Sequence, residues 1–415
     1  MSAFPATVAG FLARYAALRE VLPGDPAARD AAAAALSALG LPGTAGGRRA
    51  EAWKYTSLRA LTEAPLADLA STITPELPAP LAPARLVVID GRFRPELSTL
   101  PDAVHLTGFA AAPTLDPEAG ADRSVLAALN TLFATDGVSI TVAPGIDAGT
   151  VELLSLTTAG QAAHPRHAVT LGEGARLTLI ETIAGTGRAL HNPLSVIRLA
   201  PGAVLTHPRV QDESIAAFHL ARIVAILAAD AAYHGFTLTA GAALARTELQ
   251  ITLAGPGATA EASAALLLSG TRHADLASVI RHAAPGGSSR QLVRSVLTGA
   301  ARGVFQGRIE VARDAQKTDG YQMSQALLLS DSAEMDVKPE LEIFADDVKC
   351  SHGATVGALD PDQLFYLRAR GIPAPDARAM LVRAFLDDQL DAVPDAAARA
   401  AMEAAVASWW EGHGA

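Results

Sequence analysis

The chain has 415 residues, half of them hydrophobic, and a formal net charge of -10 at pH 7. That length exceeds one ordinary core and allows two or three structural regions. The acidic balance, with no run of five Lys or Arg, argues against the phosphate-neutralising surface that nonspecific nucleic-acid binding needs, so no nucleic-acid partner is expected.

The first twenty-two residues have no basic stretch ahead of their apolar ones, and Arg14 and Arg19 interrupt them, so no signal peptide is expected. The longest apolar run, Ile223 to Ala229, is closed by Asp230 far short of the roughly 20 residues of a membrane span. A soluble protein follows as the expectation. The single cysteine, Cys350, excludes an internal disulfide framework and any site that needs several thiolates from this chain, and it suits a reducing cytoplasm.

Val8, Phe11, Leu12, Tyr15, Leu18 and Leu22 recur at intervals of three and four, which predicts an amphipathic helix. Asp25 as N-cap and Pro26 at the first helical position open a second helix through Leu39, stopped by Gly40 and Pro42-Gly43. Between Thr72 and Ala84, Pro75, Pro78, Pro80 and Pro83 forbid a lasting helix or central strand, leaving a linker or an extended wrap. Residues 1–85 thus read as a helical region with a proline-rich linker.

From 86 to 357 short β-branched or alternating runs lie between turns, as in Leu86 to Asp90 and Gly137 to Val142, and the region reads as almost entirely β. Gly-Ala pairs at Gly174, Gly202, Gly241 and Gly257 precede such runs, at irregular spacings of 28, 39 and 16 residues. Turns and strands without interleaved helices suit a solenoid with coils of varying length; a β-sandwich is the alternative. Glu334 to Ile343 is the cleanest strand, apolar or Pro at every odd position and charged at every even one, with one face buried and the other wet. Pro339 inside it cannot donate a ladder bond and demands an edge or a bulge.

Residues 358–415 return to helix. Asp360 caps a helix with Pro361 first and Gly371 as its stop. Leu381, Val382, Phe385, Leu386 and Val393 form the apolar stripe of the next, opposite Arg383, Asp387 and Asp391. A last helix from about Pro394 ends at Trp409-Trp410, a pair suited equally to docking a partner or to ordinary packing.

The chemically richest stretch is Asp346 to Val356. If it is extended, Val348, Cys350, His352, Ala354 and Val356 share one face. A thiol and an imidazole ~6.6 Å apart along a strand suit one soft or borderline metal such as iron or zinc. Two ligands do not complete a site, so the others must come from distant residues, a second subunit or inorganic sulfide. The plainer reading is a packed cysteine beside a hydrogen-bonded histidine. Cys-His nucleophilic catalysis lacks a third, orienting group. His164 and His167, and His273 and His282, have no metal-site spacing and read as stacking or surface residues outside the site. No phosphate-loop, dinucleotide or zinc-protease motif is present, so any ATP chemistry would belong to a partner.

Ala301 to Ile309, Gln316 to Gln322, Lys338 to Ile343, Asp346 to Gly357 and Asp362 to Ile372 together resemble the SufB/SufD family of iron-sulfur cluster assembly proteins; Glu51 to Thr56 resembles the entry segment of its SufD branch. SufB members are longer and richer in cysteine, whereas this chain has Cys350 alone. The resemblance implies a mainly β fold, a right-handed parallel β-helix core between N-terminal and C-terminal α-helical regions. It implies a non-catalytic scaffold subunit that pairs with a SufB-like subunit through the core and with a SufC-like ABC ATPase through the C-terminal helices. For the isolated chain the resemblance leaves a resting homodimer and the working hetero-complex both open. It further implies that Cys350 and His352 lie near the SufB interface and act in iron acquisition or nascent cluster formation, with iron or an iron-sulfur cluster held only transiently in the complex. The alternatives are a β-helix carbohydrate-active enzyme, which would need paired acid and base carboxylates in an open groove, and a purely structural β-helix interaction protein.

Overall fold

The computed structural model describes residues 4–45, 47, 51–63, 65–66, 75–391 and 393–413. Arg48 to Ala50 and Thr72 to Thr74, both within stretches discussed above, lie outside them.

Helix α1, Val8–Leu18, is capped by the Thr7 hydroxyl, and α2, Pro26–Leu39, by the Asp25 carboxylate, with Gly40 ending it at a positive φ. Both lie against α3, Val125–Phe133, through Phe11, Tyr15, Leu36, Leu129 and Phe133. Helix α3 departs from the nearly all-β expectation for 86–357. Ser124 supplies an N-cap, and a nine-residue run with little β-branching makes a helix apolar enough to be buried on every side. Arg29 is 1% exposed and donates to the carbonyls of Thr131, Leu132 and Ala134 at 2.8, 2.9 and 2.7 Å, thereby capping the C-terminal end of α3.

The core is a parallel β-solenoid of about eight turns. One sheet runs through strands Ala84–Ile89, Asp147–Thr157, Arg176–Gly185, Val204–Glu213, Ala232–Thr239, Thr259–Leu268, Ser288–Leu297, Asp319–Leu328 and Lys349–Gly357. The second runs from Val138–Val142 through Arg166–Leu171, Leu194–Leu199, Phe218–Leu227, Leu244–Leu253, His273–His282 and Arg302–Val311 to Glu334–Ile343. Inward residues of both sheets, such as Leu153, Leu179, Leu205, Ile223, Ile251 and Ile280, stack into one core.

The irregular Gly-Ala spacing resolves into a repeat. Gly174, Gly202 and Gly257 occupy the same corner on successive turns, and the turn between them uses Asp230 in the same left-handed conformation, with φ of 56°. Each of these residues donates its N–H to the next turn: Gly174 to Pro201, Gly202 to Ala229, Asp230 to Pro256 and Gly257 to Pro285. The alanines behind them, Ala175, Ala203, Ala231 and Ala258, are fully buried. Gly241-Ala242 belongs to the opposite corner, where Ala242 is the left-handed residue. Asp tolerates that conformation at modest cost, so the missing member of the series carried no glycine to mark it.

The two ends of the solenoid differ. At the N-terminal end, Arg92–Phe93 and Val104–Gly108 pair antiparallel to their neighbours, and Phe93, Val104 and Leu106 close over the core. The C-terminal end finishes on two full-length parallel strands, Glu334–Ile343 and Lys349–Gly357, the last members of their sheets. Pro339 therefore sits on an edge strand, as its missing N–H requires. The expected buried face of that strand is only half covered, because the core stops there.

The flanking regions cover the outer sheet faces. Prolines 75–83 form an extended wrap, fastened where Arg85 donates to the carbonyls of Pro78 and Ala79 and pairs with Glu152 at 2.8 Å. On the second sheet, Trp53 packs 3.9 Å from the Arg246 guanidinium, Thr56 meets His273 at 2.9 Å, and Glu51 meets Lys338 at 3.0 Å. At the other face, α5, Ala374–Leu390, and α6, Ala396–His413, bury Val382, Leu386, Met402 and Trp409 on Val210, Phe236, Leu238 and Val296. Trp409 is 4% exposed and belongs to the core, while Trp410 packs beside it half-buried. Helix α6 continues past that pair to His413. Helix α4, Pro361–Ala369, is capped by Asp360 as expected but buries none of its residues, and it displays Phe365 and Tyr366.

Candidate functional site

The last turn of the solenoid brings together the residues singled out from sequence. Cys350 pairs in register with Gly320 and His352 with Gln322. On the preceding strand, Gly320, Gln322, Ser324 and Ala326 face the interior and are buried. Parallel register carries that direction to the next strand, so Cys350, His352, Ala354 and Val356 line the interior side of the open end. A Cβ built on Gly320 would sit 3.4 Å from both the Cys350 Sγ and Ile309, which confirms the inward aim of the thiol.

Opposite them stand Met335, Val337, Pro339, Leu341 and Ile343, in register with the interior-facing Gly303, Phe305, Gly307, Ile309 and Val311. The mouth is thus an apolar ring with one thiol and one imidazole. Cys350 is half-buried and packs with Ile309, Val311, Ala315 and Leu341, whereas His352 is exposed. Ile343, Phe344 and Val356 are 39%, 66% and 47% exposed. Burial pushes the Cys350 thiol pKa above its ordinary value, and the nearby Asp319 charge adds to this, against a partly opposing Gly320 N–H. The thiol is therefore protonated at neutral pH unless a cation is brought to it. Among the described residues, Cys350 and His352 join no group of three or more His, Cys, Asp or Glu donors.

Of the other histidines named from sequence, His164, His167 and His282 are buried and His273 is half-buried. His164 lies tilted against Phe133, ring centroids 5.2 Å apart, and meets Asn192 at 2.9 Å, and His167 accepts the Val138 N–H at 3.2 Å. His282 is wholly buried with Nε2 2.9 Å from the Ser289 hydroxyl, and His273 is held by Thr56. Their partners are backbone, amide and hydroxyl groups, which suits structural roles. Sequence reading passed over His191, His207, His219, Glu181 and Glu213, all at 5% exposure or less. The signal was the turn length: His191 and His219 are register partners 28 residues apart, the same offset as Gly174 and Gly202.

A groove of about 700 Å³ crosses the outer face of the second sheet, lined by Trp53, Arg222, Arg246, Glu248, Arg308 and Lys338. Glu248 is held by Arg222 at 3.0 Å, Arg246 at 3.3 Å and the Ser124 hydroxyl at 2.6 Å. Burial would raise its pKa, but Arg246 and Arg222 keep it below the ordinary carboxylate value. An ionised, fully engaged carboxylate cannot serve as the general acid of a glycosidase.

Comparison with known proteins points the same way as this geometry. Residues 154–385 match the family model described as the SUF system FeS cluster assembly, SufBD core domain. The chain is 35% identical over 363 residues to the iron-sulfur cluster assembly protein SufD of Escherichia coli, covering 84% of this chain and 85% of that protein. It is 32% identical over 398 residues to an iron-sulfur cluster assembly SufBD family protein of Synechocystis, covering 88% and 87%. A chloroplastic protein of Arabidopsis thaliana, ABCI7, is 33% identical over 236 residues, covering 56% and 50%. With a parallel solenoid between helical ends, a matching core domain and a relative of this extent, the chain belongs to the SufBD family of iron-sulfur cluster assembly proteins.

Proposed function

We propose that this chain is a non-catalytic scaffold subunit of iron-sulfur cluster assembly, working in the cytoplasm inside a hetero-complex. The open last turn carries the reading. Two full-length edge strands, an exposed apolar ring and an incomplete pair of soft and borderline ligands meet at one end of the molecule. A second solenoid from a SufB-like subunit, adding strands there, would cover Ile343 and Val356 and bring further ligands to Cys350 and His352. Iron or a nascent cluster is then the substrate of the shared site. A resting homodimer would use the same end. A SufC-like ATPase is assigned to the C-terminal helices, where Phe365 and Tyr366 project from α4.

The test is iron and acid-labile sulfide per complex after anaerobic co-expression with SufB-like and SufC-like partners. Wild type is compared with the double variant Cys350→Ala, His352→Ala. A loss of more than half the loading, with the complex intact on gel filtration, is the expected result. Unchanged loading would return both residues to packing.

A further inference from the structure

A second set of metal-binding side chains lies deep inside the solenoid, far along the stack from the open end. His191, Glu213 and His219 are each 3% exposed or less, and one donor atom from each falls within 4.8 Å of the others. Glu213 ends a strand of the first sheet, while His191 and His219 begin neighbouring turns of the second. The three therefore converge at a corner between the sheets.

The hydrogen bonding is incomplete in a way that points to a cation. His191 Nδ1 is 3.0 Å from Glu213 Oε1, and its Nε2 is 3.2 Å from the Ser155 hydroxyl, a partner able to hold the ring tautomer that leaves Nδ1 unprotonated. His219 Nδ1 is 2.8 Å from Glu213 Oε2 yet out of line for a hydrogen bond, and its Nε2 has no hydrogen-bond partner. Gln211 donates to Glu213 at 2.9 Å while its own buried Oε1 is unpartnered. The nearby buried carboxylate offers a contrast. Glu181 is neutralised by Arg209 at 2.5 Å and flanked by His207 at 3.1 Å. Among the described residues, Glu213 meets two imidazoles and an amide and forms no ion pair with an arginine or lysine. A carboxylate buried between two imidazoles needs a compensating charge; one proton on either ring supplies it but leaves His219 Nε2 and Gln211 Oε1 without partners, whereas one metal cation engages both rings and the carboxylate together.

We propose that His191, Glu213 and His219 bind one divalent first-row transition ion, through two imidazole nitrogens and one carboxylate oxygen. That donor set suits Zn²⁺, Fe²⁺ or Co²⁺. Bond lengths of about 2.0 to 2.1 Å place ligand atoms roughly 3.3 Å apart in a tetrahedron; the two imidazoles now meet different oxygens of Glu213, so the carboxylate has to turn one oxygen towards both rings as the ion enters. A water in the remaining position would have Gln211 Oε1 to donate to. The ion would tie two successive turns to the opposite sheet, and it does not depend on the assignment of Cys350 and His352.

The test uses the full-length, tag-free protein refolded from urea with Co²⁺ or with a chelator. The expected result is about one equivalent of Co²⁺ per chain, visible d–d bands without a thiolate charge-transfer band, and a Tm higher by roughly 3 °C. His219→Gln and, separately, His191→Gln should each fold by far-ultraviolet circular dichroism and lose at least ~100-fold in Co²⁺ affinity; Cys350→Ala, His352→Ala should keep the bands. The proposal is overturned if refolded wild type takes up no Co²⁺, or if bands and Tm gain persist in both glutamine variants. A thiolate band lost with Cys350 would also overturn it, by placing the ion at the open end.

Discussion

A thiol at the mouth of the solenoid is chemically quiet by itself. Burial and the Asp319 charge raise the Cys350 pKa, so alkylation by iodoacetamide at pH 8 should run several-fold slower than for a free cysteine peptide, and its rate should still be climbing above pH 9. A rate that levels off below pH 8 would show an activated thiolate instead. His282 titrates in the opposite sense. Burial pushes its pKa down to about 4, with Asp319 opposing only weakly. The unfolded chain, with a histidine near 6.5, then takes up the proton first, so stability is intact above pH 6.5 and falls as the pH drops towards 4, by up to about 3 kcal/mol. Tm measured from pH 7 to pH 5 should decline less in His282→Gln than in wild type. Residue identity on the last strand was legible from its period of two, which put Cys350 and His352 on one face. The interior histidines were not, because a lone His in a strand announces nothing until the turn length is known.

Capping chemistry made most helices readable: Asp25 with Pro26 and Asp360 with Pro361 start α2 and α4 as expected. Helix α3 was missed because it interrupts a β region and lacks polar faces, so its periodicity is invisible. Its C-terminal end depends on Arg29, whose long reach joins residues a hundred positions apart. Arg29→Met should cost about 3 kcal/mol by leaving the carbonyls of Thr131, Leu132 and Ala134 without donors, read as a shifted urea midpoint. A loss below 0.5 kcal/mol would mean water replaces the guanidinium. The corner residues permit a paired comparison. A Cβ at Gly174 meets nothing within 4 Å, whereas one at Gly257 falls 2.2 Å from Asp230 Oδ1. Both substitutions should cost the roughly 1 to 2 kcal/mol of a left-handed residue, with Gly257→Ala little worse because the exposed Asp230 carboxylate can swing aside. A much larger loss at Gly257 would show that Asp230 is held in place.

At the scale of the whole molecule, the helical ends and the β core were legible in sequence, since composition changes sharply at both transitions. What covers what was not. The N-terminal region lies on one sheet and α5 with α6 on the other, which accounts for strands such as Phe218–Leu227 that are apolar on both faces. Among the described residues, the last turn has no further turn stacked on its open side. Val356→Glu places a charge on its exposed apolar rim, so Tm should hold within about 1 °C while association with a SufB-like subunit, or with a second copy, is lost in sedimentation velocity. Association at wild-type strength would move the interface elsewhere.

The difference between the two ends also bears on how far a stack of such chains could grow. A stack of strands with both ends open could extend without limit, each addition exposing a fresh edge, as fibres do. Among the described residues, one end closes with antiparallel strands over the core and the other finishes on two parallel edge strands. On the proposed end-to-end pairing, two chains meeting mouth to mouth would consume both of those edges at once, and strand-by-strand growth would stop there.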